Sequence, residues 1–164
     1  MKAIAVLDEK RGIGKNGGLL FSLPEDMKFF REKTAGKVVV MGRKTLESFP
    51  GGRPLKNRVN VVLTSDKTPR EGCVLADSLS SLREILKDYP SENVFVVGGA
   101  KVYEELLPYC DEAFLTMVFA DGGADSFFPP IGENFTLAEE SEEKKSGDLR
   151  FRFTTYKNNS PLIL

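Results

Sequence analysis

The sequence predicts an α/β fold: one domain over residues 1–164, with an eight-stranded, mostly parallel sheet, an antiparallel C-terminal hairpin and about four flanking helices. Three observations lead there. Short β-branched runs recur through the first two thirds of the chain, several apolar throughout, as strands buried on both faces are. Helical patterns alternate with these runs, the order that builds parallel strands. In the last third the helices stop, and residues 149–156 alternate apolar with polar at a period of two.

Taken in order, Lys2-Ala3-Ile4-Ala5-Val6-Leu7 is the first strand. A helix opens near Pro24, where Ser22 and Glu25 have capping-box spacing and proline is pre-organised for a first turn. Val38-Val39-Val40-Met41 is the second strand, and residues 43–48 form a short helix. Val59-Asn60-Val61-Val62-Leu63 and Cys73-Val74-Leu75 follow as strands. Residues 78–89 place Leu79, Leu82, Ile85 and Leu86 on one helical face before Pro90. Val94-Phe95-Val96-Val97 is a strand, and residues 100–107 a helix that stops at Pro108. Three more strands complete the sheet: residues 113–119, then 135–140 and 149–156 as the hairpin, with residues 142–148 as its polar turn.

The composition is that of a soluble globular protein, 41% hydrophobic and 29% charged with a net charge of -1. A chain of this length buries about two thirds of its unfolded surface, enough for a core with a cleft. Neither sign of charge is segregated, so no nucleic-acid partner is expected, and no apolar run reaches membrane-span length. The apolar stretch at residues 3–7 is too short for a signal peptide, which predicts a cytoplasmic protein, with Cys73 and Cys110 as reduced thiols. Histidine is absent altogether. Proton chemistry therefore falls to carboxylates, water or perturbed Lys, Tyr or Cys, and no metal site is predicted.

Asp26 is the carboxylate of most interest. It sits in the first turn of the Pro24 helix, and Phe29 and Phe30 follow three and four positions on, so the acid shares a face with two aromatic rings. One reading is an acid matched to the helix dipole. The other is a partly buried carboxylate that binds or protonates a ligand. A helix N-terminus favours the charged form by roughly 0.3–1 kcal/mol, whereas full burial raises a carboxyl pKa by up to about 3–5 units at about 1.36 kcal/mol each. Burial wins, and a raised pKa is expected.

Gly12-Ile13-Gly14-Lys15-Asn16-Gly17 spells a dinucleotide-binding G-x-G-x-x-G, but no helix follows its third glycine, and Glu32, the acid at the right distance, lies on a helix rather than at a strand end. Residues 9–21 are read instead as a mobile glycine-rich loop beside Asp26, either a lid or a plain surface connection. Two strand-to-helix corners are better anion sites: Val97-Gly98-Gly99-Ala100 and Gly42-Arg43-Lys44-Thr45, each at the carboxyl end of a strand, with Lys101 adding charge.

These residues also carry a family pattern. Ile13-Gly14, Leu19, Asp26, Phe30 and Thr34 fall at fixed spacing, followed in order by Val40-Met41-Gly42-Arg43-Lys44-Thr45, Gly52-Arg53-Pro54-Leu55, Arg58 to Ser65, Val97 to Tyr103, Leu115-Thr116 and Asp125-Ser126-Phe127-Phe128-Pro129. In this the chain resembles the dihydrofolate reductases from Ile4 to the C-terminal hairpin. The resemblance implies reduction of 7,8-dihydrofolate to tetrahydrofolate by NADPH, with hydride transfer to pterin C6 and protonation at N5, in a monomer whose partner is this small-molecule substrate.

It also implies residue roles. Asp26 takes the acidic position facing the pterin, supported by Thr116; Leu19 and Phe21 lie in the loop beside the chemistry. Ile4, Ala5, Val6, Met27, Phe30, Phe49 and Leu55 wall the substrate pocket, and Arg58 holds the α-carboxylate of the substrate's glutamate tail. Ala5, Ile13, Gly14, Gly42, Arg43, Thr45 and Thr64 line the cofactor, as do Val97, Gly98, Gly99, Ala100, Lys101, Val102 and Tyr103. Arg43, Lys44 and Ser65 face the 2'-phosphate that distinguishes NADPH from NADH, and the Gly98-Gly99 peptide is cis. Leu20-Phe21 departs from the family's usual Pro-Trp, losing the indole N–H donor and the stiffness of proline. Two other readings are weighed: a pyrimidine reductase of riboflavin synthesis, for which Asp26 and Arg58 have no purpose, and a non-catalytic folate- or NADPH-binding protein.

Overall fold

In the computed structural model, which describes residues 1–164, the chain runs β1 (Lys2–Leu7), β2 (Gly12–Lys15), β3 (Gly18–Leu19), α1 (Pro24–Thr34), β4 (Val38–Gly42), α2 (Arg43–Ser48), β5 (Val59–Leu63), β6 (Cys73–Ala76), α3 (Leu79–Leu86), β7 (Val94–Gly98), α4 (Ala100–Leu106), β8 (Glu112–Val118), β9 (Ser126–Phe127), β10 (Phe135–Glu140), β11 (Lys144–Ser146) and β12 (Leu149–Asn158). The main sheet has the order β10-β12-β8-β1-β7-β4-β5-β6, with β11 paired to β12. The six strands from β8 to β6 are parallel, and β12 runs antiparallel to both β8 and β10. The predicted α/β class and the eight-strand path are therefore present.

Strand alternation divides the core between the two faces. Val38, Val40, Val61 and Val96 point to one side, where Leu82 of α3 and Val102, Tyr103 and Leu106 of α4 cover them. Val39, Met41, Val62 and Phe95 point to the other, beneath Leu46 of α2 and Phe29 and Phe30 of α1. A third cluster, Leu23, Val118 and Phe151 with Val6 and Phe21 packed against it, closes the sheet where α1 begins.

Local details depart from the sequence reading, each for a visible reason. No Ser22–Glu25 capping box forms: the N-cap residue is Leu23 and no side chain caps the helix. Leu23 is buried at 2% exposure, so packing fixes the helix entry, and Glu25 turns outward to Lys144 at 3.4 Å. The capping box in the chain belongs to α3, where Ser78 and Ser81 bond each other's backbone N–H, and that helix ends at Leu86, short of the predicted 89. Residues 142–148 are not all turn, since β11 folds back on β12 and leaves the tight reversal at Gly147, whose φ is +59°. β12 lies between β8 and β10, so Thr154, expected on an open face, is buried and its hydroxyl donates to the Leu115 carbonyl at 2.6 Å.

Residues 9–21 differ most from expectation. Within them β2 and β3 form a hairpin whose two-residue turn, Asn16-Gly17, has φ of +51° and +77°. Both central residues at positive φ suit a type I′ turn, and Asn-Gly is its favoured pair. β9 adds a third strand to this small sheet.

Phe151 has no exposed surface and joins β12 to the start of α1, whereas Leu137 on edge strand β10 is 49% exposed. Phe151→Ala is expected to cost about 3–5 kcal/mol in urea unfolding, and Leu137→Ala within about 0.5 kcal/mol of nothing. Similar losses for both would contradict this assignment of the core.

Candidate active site

β1, β7 and β4 are neighbours, and their carboxyl ends open beside α1, α4 and α2. Open parallel sheets bind ligands at such ends. The acid there is Asp26. Thr116 on β8 donates its hydroxyl to Asp26 Oδ1 at 2.6 Å, joining the first turn of α1 to the strand. Thr116 is itself 2% exposed and pairs in register with Val6 of β1 and Phe153 of β12. Phe29 locks the helix over this surface, with its ring centroid 4.8 Å from Phe153 and 6.2 Å from Phe114. Burial pushes the Asp26 carboxyl above the usual aspartate range, and the Thr116 hydrogen bond pulls partway back.

Two of the other proton donors left open by the lack of histidine are out of play. Tyr103 donates its hydroxyl to the Ile4 carbonyl at 2.6 Å, and burial pushes its pKa far up. The Cys110 thiol, buried beneath α4, is pushed up to about 12.

Around Asp26 the expected pocket residues divide. Ile4 is buried in the cluster against which Phe30, Phe49 and Leu55 pack, and Val6 lies with Phe21 in the cluster at the start of α1. Ala5, between them on β1, points to the opposite face, where Ile13 also packs. Met27 is 53% exposed and Leu19 77% exposed, so neither belongs to the buried wall. Arg58 is half-buried, its guanidinium carbon 5.9 Å from the Phe30 ring centroid and its Nε buried without a hydrogen-bond partner. Burial, and then the neighbouring charge of Arg31, lower its pKa.

The two glycine corners meet. Met41 of β4 stands in register with Gly98 of β7, and the Gly98-Gly99 peptide is cis. A Cβ on Gly99 would come within 3.3 Å of the Thr45 hydroxyl, and one on Gly42 within 3.3 Å of Val102. Gly98 has φ of +131°, a backbone open to glycine. Glycine at both corners therefore lets the backbone pack closely against Thr45 and Val102, giving side-chain-free turns of the kind a phosphate-bearing cofactor approaches. Arg43 is exposed and 3.4 Å from Glu47, and Lys44, Ser65 and Lys101 are also exposed. Thr64 accepts from the Asp66 N–H at 3.1 Å, and Val97 and Ala100 are half-buried.

Residues 1–158 match the family model for dihydrofolate reductase. The chain belongs to the dihydrofolate reductase family. It is 37% identical over 163 residues to a dihydrofolate reductase of Bacillus subtilis, covering 96% of this chain and 95% of that one. A Haemophilus influenzae dihydrofolate reductase is 34% identical over 150 residues, covering 88% and 91%. A dihydrofolate reductase from Enterococcus faecalis, solved in complex with NADP(H) and RAB-propyl, superposes with a TM-score of 0.86 at 35% identity over 96% of this chain and 95% of that one.

Three polar residues escaped the sequence reading. Asp8, 1% exposed at the end of β1, accepts from the backbone N–H of Lys10 at 2.8 Å, Gly12 at 2.6 Å and Gly122 at 2.9 Å, tying residues 9–21 to the loop after β8. Asp125 accepts from the Asn16 N–H at 2.9 Å at the far end of the same hairpin. Asn60 is buried inside β5. For Asp8 and Asn60 the available signal was a polar residue within or directly after an apolar strand, a place it occupies only with partners.

Because the folded protein holds the Asp26 pKa above its unfolded value, the neutral acid stabilises the fold below the unfolded pKa, and this stability is lost as pH rises through the raised value. Asp26→Asn keeps the acceptor for Thr116 and removes the buried charge. Its melting temperature should match wild type in acid and exceed it progressively toward neutral pH; a variant relatively weaker at neutral pH would contradict the raised value.

Proposed function

We propose that this chain reduces 7,8-dihydrofolate to 5,6,7,8-tetrahydrofolate with NADPH, as a cytoplasmic monomer. The observation that carries the reading is the part-buried Asp26–Thr116 pair, at 2.6 Å, on a sheet whose β4 and β7 end in the glycine corners Gly42 and Gly98-Gly99. NADPH supplies the hydride when bound; Gly42, Arg43, Thr45 and residues 97–103 would hold it, with Arg43, Lys44 and Ser65 on its 2'-phosphate. The free thiols of Cys73 and Cys110 accord with a reducing compartment. No helix is long and apolar enough to cross a membrane.

Asp26 accepts from the pterin's N3 and 2-amino edge, and Thr116 fixes the carboxylate oxygen that faces away. Its raised pKa lets Asp26 retain a proton at higher pH than an exposed aspartate, and it passes this proton toward N5 directly or through a water. Ile4, Val6, Phe30, Phe49 and Leu55 give the substrate ring an apolar wall, with Met27 at its rim. Phe21, packed at the start of α1, shields the side nearest the hairpin, and Leu19 would have to fold in from the hairpin to limit water at the reacting carbon. Arg58 offers an unpartnered Nε–H to the α-carboxylate of the tail.

Adding dihydrofolate to the protein with NADPH should oxidise the cofactor, followed by its absorbance, and Asp26→Asn should slow turnover by about 10²- to 10⁴-fold at neutral pH. Binding of both without oxidation would replace this reading with a non-catalytic one. Near-wild-type turnover in the variant would remove Asp26 from the chemistry.

A further inference from the structure

Asn60 interrupts an otherwise apolar run on β5 and is 2% exposed. Strand alternation puts its side chain on the face of Val62, in the layer against which Phe30, Phe49 and Leu55 pack. A primary amide buried there without partners is costly. Its partners all lie in the segment that leads into β5. Asn60 Oδ1 accepts from the Leu55 N–H at 2.9 Å, and Nδ2 donates to the Leu55 carbonyl at 2.9 Å and to the Arg58 carbonyl at 3.2 Å. The Leu55 N–H can only donate, so it fixes which end of the amide is which.

The side chain therefore acts as a short substitute strand, pairing with both backbone groups of Leu55 and holding Arg58 by its main chain. Between these points Asn57 has φ of +58°, a sharp reversal that carries no stabilising side-chain bond of its own. The next N–H, of Val59, donates to the Lys37 carbonyl at 2.9 Å, so the backbone of Arg58 is held from both sides. Its guanidinium is not. Arg58 makes no ion pair, and its buried Nε lacks any acceptor. With only the Phe30 ring beside the guanidinium, the aim of Arg58 depends on its backbone, which Asn60 and the Val59–Lys37 bond hold between them.

We propose that Asn60 is a positioning residue for recognition of the substrate's glutamate tail, acting through Arg58 and Leu55. This rests on the reading of Arg58 given under Proposed function. Asparagine is required because the amide must accept once and donate twice: aspartate of the same shape would oppose the Leu55 and Arg58 carbonyls with a carboxylate, and leucine would leave all three groups unpaired.

The test compares kcat/KM for dihydrofolate with that for 6-methyl-7,8-dihydropterin, which has the reacting ring but no tail. Arg58→Leu should lower this ratio by roughly ten- to hundred-fold, the worth of a charge-assisted pair. Asn60→Asp and Asn60→Leu should each lower it by most of that factor while the KM for NADPH stays within about twofold, and neither should lower it further in the Arg58→Leu background. Asn60→Ser, a smaller change, serves if either fails to fold. Equal losses for both substrates, or a raised KM for NADPH, would make Asn60 a purely structural residue and overturn the proposal. An unchanged ratio in Arg58→Leu would instead overturn the assignment of the arginine, and the role of Asn60 with it.

Discussion

The hydrogen bond from Thr116 to Asp26 is the contact on which the site depends, because it joins two elements that the chain brings together from 90 positions apart. α1 arrives over the sheet through Leu23 and Phe29, and β8 enters beside β1, in register with it through six residue pairs. Only when both are seated does the carboxylate face a buried hydroxyl. The same packing that seats α1 removes water from Asp26, so the fold and the acid's protonation state have one cause. Two opposing effects remain: burial, the larger, raises the pKa, and the hydroxyl restrains it.

The rest of the cleft follows from sheet order. With β7 between β1 and β4, the Gly98-Gly99 corner lies between the strand that leads to the acid and the strand that leads to Gly42. Neither corner carries a side chain, because Thr45 and Val102 already stand within 3.3 Å of where a Cβ would be. Residues 9–21 are anchored at both ends by carboxylates, Asp8 at the base and Asp125 near the tip. At Gly122 a Cβ would lie 3.0 Å from Leu20 and 3.1 Å from Phe21, so a glycine in the loop after β8 gives those two side chains room. This is where the chain carries Leu-Phe in place of the family's usual Pro-Trp.

Much of this was legible in the sequence because it rests on periodicity. Continuous β-branched runs gave the parallel strands, and the three- and four-residue spacing of Asp26, Phe29 and Phe30 put the acid beside aromatic rings. What could not be read depends on partners distant along the chain. Nothing near Ser22 and Glu25 says that Leu23 will be pinned by Val118 and Phe151, which settles the helix entry without a cap. The Asn16-Gly17 pair is a hairpin signal, but the glycines around it suit a mobile loop equally well. Asp8 and Asn60 offered only their place in or beside an apolar strand as a signal: their partners are backbone groups, which the sequence does not name.

The most direct test of the account is a carboxyl-carbon NMR titration of Asp26 in the wild-type protein and in Thr116→Val. The wild-type midpoint should lie above that of an exposed aspartate, and loss of the Thr116 hydroxyl should move it higher still, because the restraint is gone and the burial remains. A wild-type midpoint at or below the ordinary value, or a downward move in the variant, would contradict the claim that burial governs this acid.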